Sequence, residues 1–463
     1  MQENFMLLSK PEIHEAADGK IRLCCDISDR GAWAGKKLVR KFWTDFDAPR
    51  KQRTLYYETS KEYEEFLCHE RLDAFVVASL PWAMRTGQDI KCEAPVSAEL
   101  LFNLNEILIP TLAKHCSELT RINIVAPTDS TSMSGKHVGT GLSLGVDSFF
   151  TVQEMLESKY EEQKLTHLMY TSSKGTEQEG KVLNHESGKR HEDCKRVAAA
   201  LGVPLVFIHT NFRLEFPIGH ARAHPFTNLS AVFALRKLWR FYYYSTAYDL
   251  SNFSVTDNSV DSADLYLLLI AHAFTTSDLS FHPSGMHTTR WEKIDIISKN
   301  VAVQESLRVC LKAPENCNIS NKCIRTLLDL DMLGHLDKFR ESFDVDYYLE
   351  NKAWYLKILY LRPNDVFLEA TREYFLKNEP KLMTEAKRIA EQELIREKIR
   401  ARDELHKKDK DKIDRQAYKI HCQRKEIKQL KQELVKAQTL YAERMTPKRV
   451  LGKIWKSVVG GKK

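Results

Sequence analysis

The segment Gly139-Thr140-Gly141-Leu142-Ser143-Leu144-Gly145-Val146-Asp147-Ser148 combines glycines, hydroxyl side chains and one carboxylate in ten positions. Small residues let a backbone approach a ligand closely, and free N–H groups where a helix begins favour an anion. The segment therefore reads as a phosphate-holding turn between a strand and the helix that follows. It is not a Walker A loop, because Val146 and Asp147 stand where that motif needs Lys and then Ser or Thr. Gly175 and Gly180-Lys181 have Walker spacing, but Val182 replaces the hydroxyl residue and Glu177 and Glu179 would repel phosphate. A second group is Cys310, Cys317 and Cys323, with Ser320 between the last two. Three thiolates can hold zinc, with a fourth ligand needed to close a structural site; the alternative is three thiols in a packed loop. Lys322 and Arg325 stand beside this group, where they can face an anionic substrate. Arg290 precedes a helical stretch and either binds substrate or pairs with Glu292. His185, His191, His220, His224, His282 and His287 are expected near the sheet edge, and none is assigned a role.

These residues need a scaffold. From 121 to 250 apolar strands alternate with helical stretches: Ile122 to Ala126, then Asp147 to Glu157; Thr166 to Ser172, then His191 to Leu201; Pro204 to Thr210, then a helix with Ser230 to Leu238; finally Phe241 to Ser245. Such alternation implies an α/β fold, a doubly wound parallel sheet whose chemistry sits at the carboxyl ends of the strands. Residues 1–116 read as an α+β domain, 117–335 as the phosphate-loop domain with its cysteines, and 336–380 as a helical extension. From 381 to 445 glycine and proline are absent, and Ile413, Ile420, Ile427, Leu434 and Tyr441 recur every seven residues. That spacing predicts a coiled coil, and hence a homodimer, with a single solvated helix as the alternative. Over 446–463 the apolar Val450, Leu451, Ile454, Trp455, Val458 and Val459 face away from most of the lysines and arginines. This is the pattern of a short basic amphipathic helix that can lie on an anionic membrane.

Composition sets the limits. The 463 residues are 43% hydrophobic, enough for a sizeable core, so wholesale disorder is excluded. The net charge is +7, but residues 381–463 hold 25 basic and 12 acidic side chains, so this tail carries +13 and the body −6. Nucleic acid is a rival partner for the tail, yet the heptads and the apolar face explain more of its pattern. No apolar run approaches a membrane span, Met1 to Lys10 does not read as a signal peptide, and ten cysteines are too sparse for a disulfide scaffold. The expected location is the cytoplasm.

The segment Ser143-Leu144-Gly145-Val146-Asp147-Ser148 resembles the Ser-Gly-Gly-x-Asp-Ser loop of the PP-loop ATP pyrophosphatases, with Leu144 in place of the first Gly of the pair. The resemblance implies a HUP-like domain that cleaves ATP between the α- and β-phosphates, with Mg²⁺, to form an adenylate that ammonia or sulfur displaces. It implies that Ser143, Leu144, Gly145, Val146, Asp147 and Ser148 hold the nucleotide, with Asp147 at the magnesium region and Asp147 and Ser148 as catalytic candidates. Residues 316–326 are similar to the four-cysteine zinc segment of 7-cyano-7-deazaguanine synthases, with Ser320 where a cysteine is expected. Residues 73–107 resemble the amino-terminal extension of synthase-like proteins from bacterial surface-polysaccharide gene clusters. The implied function is an ATP-dependent adenylating enzyme that activates a carboxyl-like group, with a small-molecule or glycan-precursor substrate. The alternative is a nucleotide-binding scaffold or regulator that acts through its coiled coil.

Overall fold

A computed structural model describes residues 4–30, 52–133, 135–173 and 185–444. The chain divides into two compact units, Met1–Met383 and Thr384–Lys463. The first unit is a mixed α/β body. Its strands are β1 (Phe5–Leu8), β2 (Glu12–Glu15), β3 (Lys20–Arg30), β4 (Gln52–Ser60), β5 (Asp89–Cys92), β6 (Val96–Ser97), β7 (Ile124–Val125), β8 (Thr128–Asp129), β9 (His137–Gly141), β10 (His167–Ser172), β11 (Leu205–Thr210), β12 (Trp239–Ser245) and β13 (Ser280–Ser284). Its helices include α1 (Asp73–Thr86), α2 (Val146–Leu156), α3 (His185–Leu201), α4 (His220–Ala234), α5 (Arg290–Ile297), α6 (Asn321–Met332) and α7 (Glu369–Asn378), and α8 (Pro380–Arg444) continues into the second unit.

Eleven strands make one sheet, in the order β13-β12-β9-β10-β11-β4-β3-β1-β5-β7, with β2 on β3. The five strands from β13 to β11 are all mutually parallel. The chain runs outward from β9 through α2 to β10 and through α3 to β11, then returns through α4 to β12 on the other side of β9. Right-handed crossovers put helices on opposite faces when the direction reverses in this way, and a crevice opens between the two strands where it reverses. That crevice lies between β9 and β12, at the end of β9 that leads into the phosphate loop.

Two expectations are corrected. The strand before the loop is His137–Gly141, not Ile122 to Ala126; Ile124–Val125 instead pairs with β5 at the far edge of the sheet. The sequence of β9 hides its nature because Gly139 has no side chain to signal a strand. A Cβ there would lie 2.5 Å from the fully buried ring of Trp239, so the neighbouring strand's tryptophan fills the space. The second correction concerns the boundary near 117, which is not a break in the fold. β11 pairs antiparallel with β4, and Asn211 extends the join by donating to the Thr54 carbonyl at 2.9 Å or less and accepting from the Tyr56 N–H. One buried apolar cluster runs from Met6 through Phe75, Leu104 and Trp239 to Phe281. Residues 260–380 are mostly helical but also contribute β13, whose Phe281 is buried.

In the second unit a single long helix, α8, runs to Arg444. Ile427, Leu430 and Leu434 on it are 52%, 59% and 59% exposed, so these three residues of the heptad stripe are presented to solvent in the single chain. The amphipathic segment 446–463 and the Gly175 to Val182 stretch lie outside the described residues. No helix among the described residues is long and apolar enough to cross a membrane.

Candidate functional site

The phosphate loop leaves β9 at Gly141 and enters α2 at Val146. Leu144 adopts φ +62°, the left-handed conformation usually left to glycine. For an L-residue with a bulky side chain that costs about 1–2 kcal/mol. It is held there by complete burial of the Leu144 side chain and by the Arg308 N–H, which donates to the Leu144 carbonyl at 2.8 Å. The turn that a glycine would make is thus made by a leucine whose burial offsets the strain. Ser148 donates its hydroxyl to the Gly145 carbonyl at 3.0 Å, and it accepts from the Ser143 hydroxyl at 3.1 Å and the Ser143 N–H at 3.3 Å. Ser148 is buried and closes the loop on itself, while Ser143 is exposed at its tip.

Asp147 sits in the first turn of α2, one quarter exposed, 3.8 Å from Arg290 Nη1 and 3.8 Å from Lys293 Nζ. Its Oδ1 is buried and receives no hydrogen bond. Lys293, fully buried, donates to the Thr246 carbonyl at 2.7 Å, and burial lowers its ammonium from the usual lysine range. The carboxylate therefore faces two fixed cations, and its Oδ1, 3.8 Å from the Lys293 ammonium, still has room to accept a hydrogen bond or a metal ion.

The loop forms one wall of a cavity of about 710 Å³ that also takes in Arg290, Lys322 and Arg325. The structure thus brings together the loop and all three cations singled out in the sequence. Arg290 does not pair with Glu292. Glu292 caps its own helix, accepting from the Thr289 N–H and hydroxyl, while Arg290 reaches Asp147, donates to the Thr326 hydroxyl at 3.0 Å and lies 3.8 Å from Asp329. Asp329 is buried beneath this cluster; burial raises its carboxyl to about 6 against the pull of Arg290 and a hydrogen bond from Thr371. Lys322 opens into the cavity, yet burial by the walls and then repulsion from Arg290 lower its ammonium. Arg325 is lowered to about 10 by burial and the same neighbour, and it lies 4.1 Å over the Phe367 ring.

Seven arginines and lysines line the cavity against three aspartates among the described residues. Four of those cations, Arg190, Arg213, Arg308 and Arg362, carry no sequence signal of their own. The same wall holds His220, His224 and Tyr244, which the sequence left unassigned; the spacing of the two histidines, one helical turn apart after a strand, is the signal available for them.

The ligand atoms of Cys310, Cys317 and Cys323 lie within 4.8 Å of one another, with the Cys310 and Cys317 sulfurs 3.5 Å apart. Ser320 caps α6, accepting from the Cys323 N–H at 3.3 Å, and its hydroxyl donates to the Cys323 sulfur at 3.1 Å. Burial acts to raise the Cys310 thiol, but hydrogen bonds from backbone N–H groups of Cys317 and Lys312 bring it down to about 6. The donor set fits zinc with three thiolates and one position left open. None of the three cysteines lines the cavity, but the strip that carries Cys310 adds Arg308, Val309, Leu311, Ala313 and Pro314 to its wall. No protein-family model, curated protein or solved structure matches the chain.

Proposed function

We propose that the chain is an ATP-dependent adenylating enzyme of the PP-loop ATP pyrophosphatase type, related to the 7-cyano-7-deazaguanine synthases. One observation carries the reading: a glycine-containing loop at the switch point of the parallel sheet presents Asp147, whose buried Oδ1 accepts no hydrogen bond, to a cavity crowded with cations. The N–H groups at the start of α2 and the Ser143 hydroxyl hold the phosphates, and Arg290 and Lys293 offset the charge that collects on the departing pyrophosphate. Magnesium, held at Asp147, supplies further charge neutralisation when bound. An oxygen of a carboxyl-like substrate attacks the α-phosphorus, forming the adenylate and releasing pyrophosphate. Lys322 and Arg325, which line the same cavity, hold the incoming anionic substrate. Zinc at Cys310, Cys317 and Cys323 would be structural, fixing the strip that supports Leu144.

The test is release of pyrophosphate and AMP from ATP and Mg²⁺ in the presence of a deproteinised small-molecule extract of the cells that carry the gene. Stoichiometric AMP and pyrophosphate support the reading. ATP that binds without cleavage, or that gives ADP, overturns it.

A further inference from the structure

In the cavity, beside the strand end where the loop begins, four side chains stand in a row. Asp264 Oδ2 lies 3.3 Å from His224 Nε2, His224 Nδ1 lies 2.7 Å from the Tyr244 hydroxyl, and Asn228 Nδ2 donates to the same hydroxyl at 3.3 Å. All four line the cavity. The carboxylate accepts only, so it fixes the imidazole N–H on Nε2 and leaves Nδ1 as the acceptor of the Tyr244 proton. His224 and Asn228 stand one turn apart on α4 and Tyr244 is on β12, so rigid elements hold the row in place.

The rest of the cavity is hostile to positive charge. His220, beside Arg213 and Lys322, is pushed far below the usual histidine range, first by burial and then by the charges of His224, Arg213 and Lys322. A cationic nucleophile would meet the same field. A nucleophile working here has to be un-ionised when it attacks, and the proton it sheds needs an acceptor that the field does not oppose. Among the described residues the row built on Asp264 answers this need, because the Asp264 carboxylate pairs with the imidazolium as it forms.

On the adenylation reading above, we infer that Tyr244 and His224 accept the proton shed by an un-ionised nitrogen nucleophile in the second half-reaction, with Asp264 as the positioning residue. The nitrogen attacks the adenylate's carbonyl carbon; the C–N bond forms, the C–O bond to AMP breaks, and AMP leaves with the electron pair. The nitrogen's proton passes to the Tyr244 oxygen as the Tyr244 proton passes to His224 Nδ1, and the imidazolium later releases a proton to water.

The experiment measures AMP release from ATP and Mg²⁺ with the cell extract, using ammonium chloride or hydroxylamine as the added nucleophile across a pH series. Hydroxylamine is largely un-ionised at neutral pH and a strong nucleophile, so it depends less on a base. In Tyr244→Phe and His224→Asn the ratio of ammonium-supported to hydroxylamine-supported release should fall by about 100-fold. In Asp264→Asn the same ratio should fall and in Asp264→Glu part of it should return, because only a carboxylate pairs with the imidazolium as it forms; a merely structural role would not separate the two variants. An unchanged ratio in both of the first two variants, or equal ratios in the two Asp264 variants, overturns this inference alone. Absence of pyrophosphate from the parent protein overturns the adenylation reading and takes this inference with it.

Discussion

At the scale of single residues, Asp147 carries the sharpest expectation. It is an anion held among cations, so its removal has opposite consequences for two ligands. Asp147→Ala should weaken Mg²⁺·ATP by at least about tenfold, the equivalent of about 1.4 kcal/mol. The same change should leave metal-free pyrophosphate binding intact or make it tighter, since one repelling charge is gone. Isothermal titration with both ligands checks the pair; equal weakening of both would mean the loop had collapsed rather than lost a metal partner. Ser320 offers a second test. Its hydroxyl stands 3.1 Å from the Cys323 sulfur, where a fourth thiolate would close a zinc site. Ser320→Cys should therefore make zinc harder to strip with a chelator, measured by metal analysis after anaerobic purification. The cap that the hydroxyl gives to α6 would be lost, at a cost of about 1 kcal/mol.

At the scale of elements, the loop and the long helix make separate predictions. Leu144→Gly relieves a left-handed strain of about 1–2 kcal/mol but empties a fully buried site, which costs about 2–5 kcal/mol. The cavity term is the larger, so the glycine variant should be less stable in urea although it matches the commoner loop sequence. A gain in stability would show that the Leu144 side chain contributes little to the packing beneath the loop. In α8, the exposed Ile427, Leu430 and Leu434 repeat at coiled-coil spacing, and a second copy of the same stripe is the partner that spacing fits. We propose a homodimer through this helix. Light scattering should give twice the chain mass for the parent and the single-chain mass when Leu430 and Leu434 are both changed to Glu; a monomeric parent refutes it.

For the whole molecule, stability should depend on the buried carboxylates. Asp329 and Asp73 are both raised to about 6, in each case by burial first. Their folded values lie above the unfolded one, so the folded state binds more protons than the unfolded chain in the window between about pH 4 and 6. The stability they contribute is present below that window and is lost as pH rises through it. Asp329→Asn should flatten the part of this decline that belongs to the cavity floor, as read by thermal midpoints from pH 4 to 7; a slope equal to the parent's would place the titration elsewhere. The sequence by itself determined a good deal: the turn into a helix at Gly141 to Val146, the grouping of the three cysteines, the alternation of strands and helices after that turn, and the long charged helix. These depend on local spacing, which a reading along the chain detects. It could not determine that β9 is a strand, because Gly139 makes room for a tryptophan a hundred residues away, nor that β4 joins β11 and merges the first region with the second. It left Arg290 undecided between substrate and Glu292, and only packing against α2 and α6 turned it toward Asp147 and Asp329. It also left His224 without a role, since Tyr244 and Asp264 reach it from elements 20 and 40 positions further along the chain. Side chains that meet only when strands are ordered across a sheet carry no common pattern in the sequence, so their partnership was decided by the tertiary structure alone.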